Sequence, residues 1–379
     1  MKADYTLVAT AAFGLESVVA RELKALGYEE TTIENGRVSF FGSDRDIARA
    51  NIWLRCADRI LLKMGQFHAS DFDEAFEGIQ AIPWARFIPS AGAIHVTGRS
   101  VKSRLTSVPA CQSIVKKAII ESMKKRYHLD QFPETGPEFA IHFVLQNDLM
   151  TVYMDTTGPG LHKRGYRTGT GQAALKETLA AGIVILSRWK PDIPLVDPFC
   201  GSGTIAIEAA LIGRNIAPGI RREFASEKWD FIEPNIWEDV RRDAREKERT
   251  VELDISASDI DENVIVKARR NARHAGVLSS VKFAHRDLIN LTFNSDRGII
   301  VCNPPYGERS GDIRSAGELM KTMREVFDGA PGWSRFVFTG FEDFEKYYGQ
   351  HADSNRKLYN GRIKCYLFQF KSSGVRREA

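Results

Sequence analysis

The sequence predicts an α/β protein in which a smaller α+β region precedes a doubly wound, mostly parallel sheet. Three observations carry that prediction. From Ala173 onward, helical stretches alternate with short apolar runs such as "PLVDPF", "LDISASD" and "GIIVCN", the order that builds parallel strands with helices on both faces. Residues up to about 155 instead mix short strands and helices, and two strands meet at an Asn147-Asp148 pair that reads as a tight hairpin turn. Between the two textures, Gly158 to Gly171 holds five glycines and a proline, the composition of a connector or hinge. At 379 residues the chain is also longer than one core usually grows.

In chain order, "YTLVAT" is a strand, and Gly14 to Leu26 follows as an amphipathic helix closed by Gly27. "GRVSFFG" is the next strand, Ser43 caps a helix through about Leu54, and "DRILLKMGQF" is strand again. "DFDEAFEGIQ" is helical and ends at Pro83. "AIHVTG" opens a second unit, a helix runs from about Ser107 to Tyr127, and "EFAIHFVLQNDLMTVYMDTTG" closes it as a strand pair. The expected division is 1–65, 66–157, a linker over 158–172, and 173–379. In the last part a helix over about 173–189 leads to the strand ending at Asp197, and Thr204 to Ile212 is helical. A charged segment of roughly 214–250 interrupts before "LDISASD", as helices outside the sheet. "ENVIVKARRNARHAG" is a helix ending on Gly276, "VKFAHRD" and "GIIVCN" are strands, a helix lies near 316–329, and "RFVFTG" with a last pair near 356–370 finishes the sheet.

Composition narrows the function. No apolar run reaches the roughly 18 residues of a membrane span, and the N-terminus lacks the pattern of a secretory signal, so a cytoplasmic protein is expected. The five cysteines, Cys56, Cys111, Cys200, Cys302 and Cys365, are scattered without a CxxC or Cys/His cluster, which argues against a disulfide framework and a zinc or other metal site. Net charge is only +4, but it is unevenly spread. Between His95 and Asp130, Arg99, Lys102, Arg104, Lys116, Lys117, Lys124, Lys125 and Arg126 face only Glu121 and Asp130. Residues 156–172 add Lys163, Arg164 and Arg167 with no acid. Local basic patches in a near-neutral chain fit a polyanionic partner.

The chemistry-bearing residues gather at strand ends. "LVDPFCGSGT" is a strand entering a Gly-rich turn that opens a helix, so Gly201 and Gly203 permit close backbone approach and the helix start offers free N–H donors. The third Gly of a dinucleotide fingerprint and the Lys of a P-loop are both absent. Asp197 at the strand end suits a ligand with a cationic portion. Asp259 ends the next strand, where an acid accepts from ribose hydroxyls, and Asp287 follows the third. Asp261 reads instead as a helix cap. A single strand-end Asp is most often a cap or turn former; three beside a Gly-rich turn make a cleft. The fourth strand ends in Asn303-Pro304-Pro305-Tyr306. An amide oxygen and a stiffly held proline carbonyl can accept from an exocyclic amine of a nucleobase, freeing its lone pair to attack, and Tyr306 offers a face for the base to stack on.

These residues resemble the class I S-adenosylmethionine-dependent methyltransferases of the amino-methylating type, with "DPFCGSGT" similar to their cofactor motif and "NPPYG" to their catalytic one. The resemblance implies a Rossmann-like domain with a mostly parallel seven-stranded sheet. It implies that Asp197, Phe199, Gly201, Gly203, Thr204, Asp259, Asp287 and Asn303 line the site of S-adenosyl-L-methionine, and that Asn303, Pro304, Pro305 and Tyr306 grip the target amine and base. "GRSVKSRLTSVPACQSIVKKAI" with "VYMDTTGPGLHKRGYR" is similar to the THUMP RNA-binding domain, here after a ferredoxin-like subdomain. The whole chain resembles the bacterial 23S ribosomal RNA guanine-N2 methyltransferases, a family often labelled N6-adenine DNA methylases on the NPPY motif. It implies RNA, 23S rRNA or a ribosome assembly intermediate, as the partner, with Lys102, Arg104, Lys116, Lys117, Lys163, Arg164 and Arg167 on its backbone and neither metal nor membrane involved. A THUMP-type tRNA guanine-N2 methyltransferase and an N6-adenine DNA methyltransferase are the alternatives.

Overall fold

The computed structural model describes residues 5–167, 175–305 and 313–372, without the side chains of 313–315. The front half runs β1 (Tyr5–Ala11), α1 (Glu16–Ala25), β2 (Thr31–Glu34), β3 (Arg37–Gly42), α2 (Asp44–Trp53), β4 (Ala57–His68), α3 (Phe72–Gln80), β5 (Ala93–Val101), α4 (Val108–Tyr127), β6 (Glu138–Gln146) and β7 (Leu149–Asp155). Local chemistry explains several boundaries. Ser43 and Asp46 form a reciprocal capping box at the start of α2. Asp71 caps α3 by accepting from the Glu74 N–H. Asn147 and Asp148 both sit at positive φ, as a two-residue hairpin turn requires.

All seven front strands belong to one sheet, in the order β2-β3-β1-β4-β7-β6-β5. The boundary expected after residue 65 therefore falls inside β4, whose 12 residues pair with β1 on one side and β7 on the other. Helices α1 to α4 bury Val18, Ile47, Ile79, Val115 and Ile119 in the same core as Leu7, Phe40, Ile60, Phe139 and Phe143 of the strands. Pairing is antiparallel except between β5 and β6, which α4 connects as a crossover.

The second half comprises α5 (Glu177–Leu186), β8 (Leu195–Asp197), α6 (Thr204–Gly213), α7 (Pro234–Glu246), β9 (Ile255–Asp259), α8 (Glu262–Ala275), β10 (Lys282–His285), β11 (Gly298–Cys302), α9 (Ile313–Asp328), β12 (Trp333–Thr339), α10 (Phe344–Tyr348), β13 (Ser354–Asn360) and β14 (Ile363–Phe370). Its sheet has the order β10-β9-β8-β11-β12-β14-β13. The five strands from β10 to β12 are parallel, and β14 runs antiparallel to both neighbours. The chain builds outward from β8 to β10, then returns to place β11 on the other flank of β8. The crevice between β8 and β11 is thus the switch point where open α/β sheets take ligands. Helix α5 stops at Leu186, short of the expected 189, because Arg188 takes a left-handed backbone and Pro191 disfavours helix before it. No described helix is long and apolar enough to cross a membrane.

The halves are joined by two segments whose composition hid that role. The charged stretch after α6 lies outside both sheets, as expected, but it is a wedge between them rather than a solvated excursion. Gly219 N donates to Ile52 O, Ser226 Oγ to Thr156 O at 2.7 Å, and Trp229 stacks on Phe139 of β6 with ring centroids 5.1 Å apart. The Gly-rich connector is no free hinge over its described part. Leu161, Arg164 and Tyr166 are at most 4% exposed, Leu161 N donates to Asp58 O, and Arg222 donates to the carbonyls of Gly160 and Lys163. Residues 168–174 lie outside the described residues.

One close approach in the front sheet is testable. Gly98 of β5 pairs with Phe143 of β6, and a Cβ there would lie 2.3 Å from the Phe143 ring. Phe143 is fully buried and cannot move aside without repacking. Gly98→Ala is expected to lower stability by about 1–3 kcal/mol, read as a shift of the denaturant midpoint at unchanged m-value.

Candidate active site

Asp197 closes β8 and is 1% exposed. Its Oδ1 accepts from Phe199 N at 3.2 Å, while Oδ2 is buried and accepts from no described residue. Burial pushes this carboxyl up to about 8, against the Phe199 N–H bond that lowers it and with Asp259 adding to the rise. The turn that follows is tied to β9 twice: Cys200 N donates to Ser258 O at 2.9 Å, and Gly201 N donates to Asp259 Oδ2 at 2.9 Å. Gly201 and Gly203 both hold positive φ. A Cβ at Gly203 would meet Ala268 and Phe283 at 3.1 Å, so this end of the turn packs against α8 and β10. At Gly201 a Cβ would meet nothing within 4 Å; that side opens on free space. Gly203 supplies no side chain to cap α6. Phe199 is half-buried against the cluster of Val196 and Ile300.

The other acids stand on the same edge. Asp259 ends β9, and its Oδ1 accepts from Asp261 N, so each carboxylate oxygen holds one backbone N–H and keeps a free lone pair. Asp287 follows β10, whose His285 is in register with Asp259. Its side chain accepts from Ile289 N and caps a short turn, the commoner use of a strand-end Asp. Asp261 caps α8 by accepting from Asn263 N, as expected. Across β8, Ile300 of β11 is in register with Val196, so the residues after Cys302 emerge beside Asp197. Asn303 Oδ1 is buried and accepts from no described residue. Pro304 is buried and Pro305 exposed, whereas Tyr306 lies outside the described residues. The Cys302 thiol is pushed up by burial and by the adjacent Asp197 carboxyl.

The basic residues divide. Lys102, Arg104, Lys117 and Lys163 are exposed, and Lys116 is half-buried in an ion pair with Glu134 at 2.7 Å. Two of the cations expected on RNA are already engaged inside the protein. Arg164 is 4% exposed, donates to the carbonyls of Arg55 and Leu161, and pairs with Glu208. Arg167 is largely covered and donates to Thr204 Oγ1 and Leu175 O. Counting charge along the chain could not reveal this, since Glu208 lies 44 residues from Arg164 and shows in sequence only as an acid within an apolar helix. Glu177 and Glu208, which engage Arg167 and Arg164, are residues that sequence reasoning missed; a carboxylate in "TIAIEAALIG" was the available signal. Among the described residues, no three His, Cys, Asp or Glu side chains are grouped as a metal ion would require.

A switch-point crevice rimmed by a Gly-rich turn, three strand-end acids and an Asn-Pro-Pro corner defines an α/β enzyme domain built for a nucleoside-bearing ligand. Family models specify it further. Residues 164–369 match the RMKL-like methyltransferase domain, 6–61 the RlmL ferredoxin-like domain and 69–155 the THUMP domain. The chain belongs to the THUMP-containing, RMKL-like methyltransferase family. It is 48% identical to YpsC of Bacillus subtilis (strain 168), a candidate RNA methyltransferase, over 97% of this chain and 96% of that protein. It is 34% identical, over 98% of its own length, to the ribosomal RNA large subunit methyltransferase K/L of Syntrophotalea carbinolica, and spans only 54% of that larger protein. Among solved structures, SMU.472, a candidate methyltransferase complexed with SAH, is 44% identical with a TM-score of 0.93, over 98% of this chain and 99% of that one.

The raised Asp197 carboxyl has a consequence for stability. The folded state keeps a proton that the unfolded chain releases near the ordinary value of 3.8, so this group's contribution is fully present below that pH and is lost as pH rises through about 8. Asp197→Asn, which cannot ionise, is expected to melt progressively higher than the parent between about pH 5 and pH 8 in ligand-free protein. A melting-temperature difference independent of pH would contradict the assignment.

Proposed function

We propose that this chain is an S-adenosylmethionine-dependent RNA methyltransferase acting on the exocyclic amine of a base, guanine N2 in 23S rRNA or a ribosome assembly intermediate. The observation that carries the reading is a pair of buried acceptors with no partner among the described residues, Asp197 Oδ2 and Asn303 Oδ1, at the ends of the adjacent strands β8 and β11. Unpartnered buried oxygens are costly to maintain unless a ligand supplies the donors. The residues present fit the cofactor: a carboxylate for its cationic methionine portion, open space beside Gly201, and spare lone pairs on Asp259 for ribose hydroxyls. When bound, it supplies a methyl group on a sulfonium, an electrophile.

The chain's own part is positioning and hydrogen bonding. Asp197 takes the positive charge, Gly201, Gly203 and Thr204 shape the turn around the methionine portion, and Phe199 packs beside it. Asp259 holds the ribose and Asp287 lies toward the adenine. Asn303 Oδ1 and the Pro304 carbonyl accept from the target amine, keeping its lone pair out of the ring, and Pro305 stiffens the corner before Tyr306, which stacks on the base. The exposed Lys102, Arg104, Lys117 and Lys163, with Lys116 shared with Glu134, contact the RNA backbone. Support for RNA over DNA comes from the THUMP match, and for the large-subunit target from the K/L relative.

Labelled methyl transfer to 23S rRNA, tRNA and DNA, with the product nucleoside identified, tests the reading. N2-methylguanosine in 23S rRNA is expected; N6-methyladenine in DNA would overturn it, and methylation of tRNA alone would reassign the substrate. Asn303→Ala should lower kcat about 100-fold or more, while the affinity for S-adenosylhomocysteine, measured by calorimetry, stays within about threefold of the parent.

A further inference from the structure

The two arginines withdrawn from the RNA surface point to a different task. Helix α6 begins at Thr204, directly after the Gly-rich turn, and Glu208 lies one helical turn on, so both side chains share a face. That face is gripped by residues 164–167. Arg167 Nη2 donates to Thr204 Oγ1 at 2.6 Å and to Leu175 O at 2.8 Å, and its Nε lies 3.4 Å from Glu177 Oε1. Tyr166 Oη donates to Glu208 Oε1 at 3.0 Å, and Arg164 Nε approaches the same oxygen at 3.5 Å. The same strap is anchored to the front half: Arg164 Nη2 donates to Arg55 O, Leu161 N to Asp58 O at 2.8 Å, and Arg59 to Gly158 O. Glu208 is fully buried and Tyr166 nearly so, and among the described residues Arg164 and Tyr166 of this strap are what hold the Glu208 carboxylate.

We infer that Arg167 is a positioning residue for the cofactor turn, and that the 158–167 strap is the rigid element through which the front half sets the start of α6. The inference rests on the proposal that this turn holds S-adenosylmethionine. A charge-assisted bond to Thr204 fixes the first residue of the helix, and with it the backbone of Gly201 and Gly203 whose placement the ligand reads. The sequence pattern, a basic "LHKRGYR" segment beside an RNA-binding domain, argues for a phosphate contact instead. The two roles make opposite predictions.

Calorimetric titration of S-adenosylhomocysteine, with parallel RNA-binding measurements, separates them in the full chain. Arg167→Met and Thr204→Val are each expected to weaken the cofactor product about tenfold, the loss of one charge-assisted bond. The double variant should be no weaker than the worse single, because both remove one interaction. RNA affinity and its salt dependence should stay at parental values, and the steady-state defect should appear in the cofactor KM rather than in kcat. Undiminished cofactor affinity in Arg167→Met, with or without weaker RNA binding, would overturn the inference, as would fully additive losses in the double variant. Failure of the parent chain itself to bind S-adenosylhomocysteine would instead count against the underlying functional reading.

Discussion

The structure of the site depends on one constraint, the stitching of the turn after β8 to the neighbouring strand β9. Cys200 and Gly201 give their N–H groups to Ser258 O and to the Asp259 side chain, so a loop of small residues is held as firmly as a strand. This is what allows Asp197 to be buried with one oxygen unpartnered. A mobile loop would let water reach that oxygen, the carboxyl would relax toward its ordinary range, and the crevice would lose the feature that distinguishes it from a strand end with a turn. The left-handed glycines follow from the same demand, since the backbone must reverse within a few residues while keeping its N–H groups aimed at β9.

The second theme is how a two-part chain behaves as one body. Nothing in the order of elements requires the front sheet to touch the parallel one. Much of the contact is made by segments that carry neither sheet, the charged insert, whose Trp229 and Phe231 pack on aromatic rings of the front half, and the strap of 158–167, and β13 adds Arg356 on Gly14 and Tyr359 on Phe13. Aromatic stacking, backbone hydrogen bonds across the seam and the fully buried Arg164–Glu208 pair give this junction the character of an interior. A buried ion pair is not itself strong evidence of stability, but it specifies one arrangement, because either charge left alone would be costly. The front unit therefore presents its exposed cations at a fixed disposition relative to the crevice.

Much of this is legible in the sequence. Ser43, Asp261 and the Asn147-Asp148 turn announce themselves because caps and tight turns are decided by residues within four positions of one another. Asp197, Asp259, Asp287 and Asn303 were found because each ends an apolar run, and in a parallel sheet all such ends fall on one edge. Arg164 and Arg167 were misread because a cation is free or engaged according to groups distant in sequence. The glycines around them imitate a flexible connector, although their backbone is held by carbonyl contacts to Arg222 and by the N–H of Leu161. The boundary expected after residue 65 lies inside β4, because the two front units share a strand, and sharing leaves no composition break.

What the sequence alone determined is the local grammar and its consequence: which segments are strands and helices, that they build a parallel sheet with a switch point, and that an amide, prolines and three acids arrive at its ligand edge. These are short-range properties, set by periodicity, capping and strand-end position. What only the tertiary structure decided is which polar groups remain without partners and which are already satisfied. Asp197 Oδ2 and Asn303 Oδ1 accept from no described residue, while Arg164 pairs with Glu208 and Arg167 lies against Glu177 and Thr204. That distinction depends on packing across tens to hundreds of residues, and it separates a charged side chain that binds a partner from one that holds the protein together.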